Sequence, residues 1–323
     1  MAQPANTGSS FKYNTIREDL SNIVYKISPL ETPGMQAVGR KGKFENVLHE
    51  WPIVELAAAN AANAVVEGGD AVNDAPTTAF RRSNYAQLMN KTKQVSTTND
   101  KIRGAGDVQK MAKQILYGTQ ELKRDMEARL MGGGSLIAGV NSDTTARLTA
   151  SMAAFFMTNT SRGATGASGT LSGGGVTNGY PSVAETAGTP RTITETMLKT
   201  VIQAAWTQGG SPSLAFCGGT QKVLISTFTG NATRFKAAED KKLVAAIDVY
   251  VSDFGELQIV PDRFQDATRV LVVDPELVEV GYLQTMNNTP LARTGNSTRR
   301  LVAVEWGVIV GNEKGCAQVT DLQ

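Results

Sequence analysis

His49 is the sole histidine of the 323-residue chain and stands beside a carboxylate in KFENVLHEWPIVEL, residues 43–56. An imidazole next to a carboxyl group can begin a general acid–base pair or a metal site. Nothing in the sequence completes either. A zincin helix needs a second histidine one turn away, and there is none. A Ser-His-Asp triad would have to use His49, yet no serine lies in a GxSxG elbow. The segment also reads as an extended, polar hairpin arm, where no pocket would exclude water. The structural reading is an imidazole held along a strand or at a contact. A hydrolase using His49 is the alternative from another class.

The other chemistry-bearing residues are equally scattered. Cys217 in LAFCGG and Cys316 in EKGCAQV form no CxxC pair and read as reduced, partly buried small side chains. With one histidine, no Cys/His metal set is expected, and no cofactor. GATGASG and SGGGVTNG lack the GK[ST] of a P-loop and the GxGxxG of a dinucleotide site. The pairs Glu18-Asp19 and Glu239-Asp240 sit beside basic residues and read as solvated faces. Arg81-Arg82, Lys91 and Lys93 are diluted by Asn, Thr and Gln, which does not make a stripe for specific nucleic-acid readout. The net charge of +2, from 32 basic and 30 acidic residues, gives no global attraction to nucleic acid or anionic lipid. The N-terminus MAQPANTGSSFKYN has no apolar h-region, and no run approaches the roughly 18 apolar residues of a membrane span, so no membrane partner is expected.

The elements that would position these residues suggest architecture rather than catalysis. Residues 1–42 read as an arm, with one short helix at IREDLSNIVYKI. Residues 43–100 read as a long polar hairpin, FENVLHEWPIVEL going out and TTAFRRSNYAQLMNKTKQVST returning, with a turn at Gly68-Gly69-Asp70. Arms of about 15–20 residues at ~3.3 Å each would reach roughly 50–60 Å. A hairpin with so few large apolar residues needs a surface to lie on, from its own chain or a neighbour. Residues 105–131 form the clearest helix. Val108, Met111, Ile115, Leu122 and Met126 lie on its apolar stripe, and Asp125 and Arg129 make an i,i+4 pair. RLTASMAAFFM, residues 147–157, reads as a short apolar helix. Residues 159–190 are rich in Gly, Ser, Thr and Ala and form either a long ordered loop or a flexible insertion, a surface excursion in both cases. Thr192 and Glu195 make a capping box for a helix up to Gly209. A strand at SLAFCGG, a helix at TQKVLISTFTG, and the strands AAIDVYVSDFGELQIV, RVLVVD, LVEVGYL and RRLVAVEWGVIVG complete an α+β region of two helices over a mixed sheet.

The order of parts resembles the major capsid protein of tailed bacteriophages, the Hong Kong ninety-seven type of fold. REDLSNIVYKISPLETP, HEW, EGGDA, GTQELKRDMEARL, VYVSDFGELQIVPDRF, VLVVDPELVEVGYL and LARTGNSTRRLVAVEW look, in that order, like one large phage major head protein family. The resemblance implies an N-terminal arm at 1–42 and an E-loop at 43–100. It implies a peripheral (P) domain at 101–191 with the spine helix at 105–131, an axial (A) domain at 192–290, and return strands to the P domain at 291–323. His49, Glu50 and Trp51 would lie at the base of the E-loop as assembly residues. The implied partners are further copies of the chain in hexamers and pentamers, a portal, scaffold or decoration proteins, and packaged double-stranded DNA held by weak non-specific contact. The implied location is the virion, assembled in the host bacterial cytoplasm. An encapsulin-like compartment shell is the alternative within the fold, and the neighbouring genes would discriminate: terminase, portal and protease for a phage, a cargo enzyme for a compartment.

Overall fold

The computed structural model describes residues 27–38, 40–70, 73–102, 110–140, 142, 144–228 and 249–323. Its helices are α1 (Pro33–Ala37), α2 (Thr97–Lys101), α3 (Lys110–Leu130), α4 (Met152–Phe155), α5 (Glu195–Thr207) and α6 (Gly219–Ser226). Its strands are β1 (Arg40–Lys43), β2 (Leu48–Val54), β3 (Ala79–Tyr85), β4 (Gln87–Ser96), β5 (Thr160–Ser161), β6 (Thr170–Leu171), β7 (Pro181–Val183), β8 (Leu214–Cys217), β9 (Val249–Ser252), β10 (Gly255–Pro261), β11 (Val270–Val273), β12 (Val278–Pro290), β13 (Ser297–Val310) and β14 (Ala317–Val319).

The near-continuous apolar run of β13 can be satisfied only where both faces are covered. It lies inside a four-stranded sheet of order β1-β12-β13-β4, antiparallel to both neighbours, with Val302, Val304, Trp306, Val308 and Val310 buried. The helix α3 crosses β4. Gly118, in the middle of the helix, lets the sheet approach: a methyl group there would stand 3.3 Å from the Lys93 side chain. Leu122 and Met126 are buried, while Met111 and Ile115 are half-buried. Val108 and the predicted first turn at 105–109 lie outside the described residues. The expected Asp125–Arg129 pair does not form. Asp125 meets Lys91 of β4 at 2.6 Å, and Glu121 meets Lys93 at 2.8 Å. Arg129 turns inward to donate to the carbonyls of Thr149 and Ile137, and burial lowers its pKa to about 10.

A second core forms on a six-stranded mixed sheet of order β5-β14-β11-β8-β10-β9. It gathers Leu198, Val201 and Ile202 of α5, Ile225 of α6, and Val270, Val272 and Val319 of the sheet. The helix α5 starts two residues after the point where the capping box put it. Thr194 is the N-cap, accepting from the Met197 N–H at 3.4 Å. Thr192 instead accepts from the Gln323 side chain. Both cysteines are free and buried.

Several boundaries differ from the sequence reading. The helix expected at IREDLSNIVYKI lies outside the described residues apart from Ile27. The return arm of the hairpin is two strands, not one: β3 pairs with β2, the chain breaks at Ala86, and β4 joins the four-stranded sheet. The hairpin ladder is therefore seven residues long. The strand β12, expected in the second region, pairs with β13, and β14, expected to return to the first, enters the six-stranded sheet beside β11. Of RLTASMAAFFM only Met152–Phe155 is helical. The preceding amides are bonded elsewhere: Thr149 N–H to the Gln87 side chain, Ala150 N–H to Asn84, and Ser151 N–H to the Leu136 carbonyl.

The excursion at 159–190 is ordered. Its polar residues do the packing that apolar ones do elsewhere. Glu185 is held by Arg162 at 2.8 Å and by Arg269, all with side chains under a tenth exposed. Arg269 also meets Asp266 and Gln318. The Asp321 carboxylate is partly buried, which alone would raise its pKa. It accepts the N–H groups of Gly188 and Gly163, and these hold it below the usual value.

Candidate functional site

His49, Glu50 and Trp51 sit in β2, at the foot of the hairpin. Alternation along the strand puts His49 and Trp51 on one face and Glu50 on the other. On the inner face the rings form a row. Phe44 stacks on His49 (4.5 Å between centroids, 15° between planes), His49 on Trp51 (5.9 Å), and Trp51 leans on Phe155 (6.0 Å). Phe44 is seated in a slot made by two glycines. Gly281 of β12 and Gly307 of β13 face each other in the ladder, and a methyl group at Gly307 would stand 2.6 Å from the Phe44 ring. Trp51 is buried, and its indole N–H donates to the Val310 carbonyl at 2.9 Å. Burial lowers the His49 pKa, with Glu279 opposing the shift. Glu50 makes only an exposed contact with Arg81 at 3.4 Å. Among the described residues the histidine has two stacked ring partners, Phe44 and Trp51, and feels the charge of one carboxylate, Glu279.

The second arm is pinned by two polar residues that sequence reasoning missed. Asn84 is fully buried and saturated. It donates to Thr149 Oγ1 (3.0 Å) and the Val308 carbonyl (2.7 Å), and accepts from the N–H groups of Tyr85 and Ala150. Arg82 is buried and reaches the Val176 carbonyl at 2.7 Å and Glu313 at 3.5 Å. Glu313 in turn accepts the N–H groups of Met157 and Thr158 and the Thr158 hydroxyl. The excursion joins here as well: the Ser83 N–H donates to the Gly179 carbonyl, the Gly179 N–H donates to the Arg81 carbonyl, and Asn178 accepts from the Arg81 N–H. A cavity of about 60 Å³ remains between Ile53, Phe80, Arg82 and Glu313. It has room for water and little else. The polar residues gave no signal in isolation, whereas Phe44 belongs to an aromatic spacing, Phe44-His49-Trp51, that was open to view.

Just past β2, Glu55 meets Lys314 at 2.7 Å; beyond it, no bond from the hairpin to the rest of the chain is found among the described residues. Leu56, Val65 and Val66 are 85%, 91% and 83% exposed, and Gly68, with φ of 81°, makes the turn. Among the described residues there is no group of three or more His, Cys, Asp or Glu placed to hold a metal, and no helix long and apolar enough to cross a membrane.

The SU10 major capsid protein family model matches residues 3–323. The chain belongs to the SU10 major capsid protein family. Family members are structural capsid proteins, not enzymes, which removes the hydrolase reading of His49. The major capsid protein of Escherichia phage Phieco32 is 27% identical over 124 residues. That match spans 38% of this chain and about a third (35%) of the relative's length. The Cyanophage A-1(L) capsid structure aligns over 95% of this chain and 97% of its own, with a TM-score of 0.65 at 11% identity. The Cyanophage P-SCSP1u capsid aligns over 99% and 97%, with a TM-score of 0.61 at 10% identity. At such identities the structural likeness shows the fold, that of tailed-phage capsid proteins.

Proposed function

We propose that this chain is the subunit of an icosahedral phage head, closing into a shell from hexamers and pentamers of itself around packaged double-stranded DNA. The observation that carries the reading is the family match over residues 3–323. In this account the four-stranded sheet with α3 is the P domain and the six-stranded sheet with α5 and α6 the A domain. The residues before β1 form the N-arm, and the hairpin from β2 to β3 is the E-loop. His49, Glu50 and Trp51 then act as the foot that sets the hairpin's direction, so that Leu56, Val65 and Val66 reach an adjacent subunit. Covering each would contribute about 1.5–3 kcal/mol. Such contacts are modest singly and are multiplied by the symmetry of a shell. Packaged DNA would meet scattered Lys and Arg through weak, salt-dependent contacts. Portal, scaffold or decoration proteins would be the other partners, and assembly would take place in the host cytoplasm. The test is light scattering and electron microscopy of the protein expressed with its genomic neighbours. Closed shells are expected. Only monomers or small rings, under every condition where the chain is folded, would overturn the reading.

A further inference from the structure

Glu127 of α3 is fully buried, and among the described residues it does not pair with a cation. Its two carboxyl oxygens accept backbone N–H groups at the start of α1, Gly34 at 2.6 Å and Met35 at 2.9 Å. The helix α1 has no cap of its own, because Thr32 makes no side-chain capping bond. A carboxyl group from a distant helix therefore does the capping. Gly34 is what lets it approach: a methyl group there would stand 2.8 Å from Glu127 Oε1 and 2.7 Å from the Met131 methyl.

On its other side Glu127 meets a second acid. Asp262, just after β10 and 2% exposed, accepts the Phe264 N–H through Oδ1 at 2.9 Å. Its Oδ2 is buried with no N–H or hydroxyl donor in reach, and the partner left to this side chain is the Glu127 carboxyl. Two carboxyl groups can hydrogen-bond to each other only if one keeps its proton. Among the described residues no ion pair joins a cation to either acid, although Arg124 Nε nearby is buried without a hydrogen-bond partner. Arg124 lies over the Phe264 ring, Arg129 donates to backbone carbonyls, and Lys222 donates to the Ile259 carbonyl. Asp266 is held by Arg269 and Thr268, and Arg263 contributes its backbone N–H to Asp262. The helix α1 carries no ionisable side chain, and Glu31 before it is exposed.

We propose that Glu127 and Asp262 share a single proton, and that this proton latches the segment Thr32–Val38 onto α3 and the loop after β10. Three parts of the molecule meet at the pair: the N-terminal segment, the long helix of the first core and the edge of the second. Removing the proton leaves two buried like charges in contact, and opening the segment lets water reach them.

Burial is the main cause that pushes Glu127 up to about 7, reinforced by Asp262 and opposed by the Met35 and Gly34 N–H groups. The direction of the pH effect follows. Between the ordinary carboxyl value of 4.5 and about 7 the latched form holds a proton that the open form gives up. The latch is therefore tightest below that window, weakens as pH rises through it, and changes little above it.

Hydrogen exchange of peptides covering residues 32–38 in the full-length protein reads this directly, after correction for the intrinsic pH dependence of exchange. The opening equilibrium is expected to rise by about tenfold or more between pH 5 and pH 8, tenfold being one unit of pKa difference. Amides of β13 serve as the reference and should not change. In Asp262→Asn the amide donates to Glu127 without needing a proton, so the slope should become shallower, with the part due to burial of Glu127 remaining. If circular dichroism shows that variant unfolded, Glu127→Gln replaces it; the titrating Glu127 carboxyl is then gone and the wild-type slope should be lost. A wild-type profile that is already flat, or a folded variant that keeps the wild-type slope, overturns the proposal.

Discussion

The four-stranded sheet and the hairpin that rises beside it use similar residues to opposite ends. In the sheet, β13 has neighbours on both edges and buries five of its apolar side chains, Val302, Val304, Trp306, Val308 and Val310, almost completely. In the hairpin, the ladder has two strands and seven residues each, and the apolar side chains beyond it point into solvent. A two-stranded ribbon is barely stable alone. What holds this one is its foot: Phe44 in the slot of Gly281 and Gly307, Trp51 on the Val310 carbonyl, Asn84 and Arg82 on the other arm. One region closes on itself; the other is anchored at one end and left unfinished at the other.

The sharpest way to break that contrast is to delete residues 57–77. The foot stays, so the subunit should remain folded by circular dichroism, while closed shells disappear in electron microscopy. Normal shells from the deletion would mean that the loop contributes nothing to contacts. Next in size is Trp51→Ala, which empties a buried site and orphans the Val310 carbonyl. It should cost about 3–5 kcal/mol in urea unfolding of the unassembled subunit. Leu122→Ala, in the closed region, should cost about 2–5 kcal/mol, and Ile115→Ala, half-buried on the same helix, only about 1–2 kcal/mol. Equal effects from the two would show that α3 buries its whole stripe. The smallest effect belongs to a short insertion between Gly174 and Gly175. Both have positive φ, 82° and 68°, with open space around them. Stability should change by less than about 0.5 kcal/mol, and assembly should persist.

Periodicity made the long helix and most strands visible, because β13, β11 and α3 are decided by burial of regular apolar patterns. The places where it failed are decided by polar partners that are distant in sequence. The strand break at Ala86 depends on Asn84 and Gln87 bonding to residues 149–150, more than sixty positions away. The short reach of α4 has the same cause. The order of the excursion depends on Glu185 meeting Arg269, and Glu127 looked like one more charge on a helix until α1 and Asp262 were beside it. The placement of β14 could not be read from three residues that suit either sheet.

The central claim is that the hairpin's far end is completed by another subunit. A reconstruction of the assembled particle in which residues 55–78 can be traced tests it most directly. The account predicts Leu56, Val65 and Val66 buried against an adjacent copy, with the foot at Phe44, His49 and Trp51 unchanged. A hairpin lying on its own subunit, or standing free in solvent within an intact shell, would contradict it.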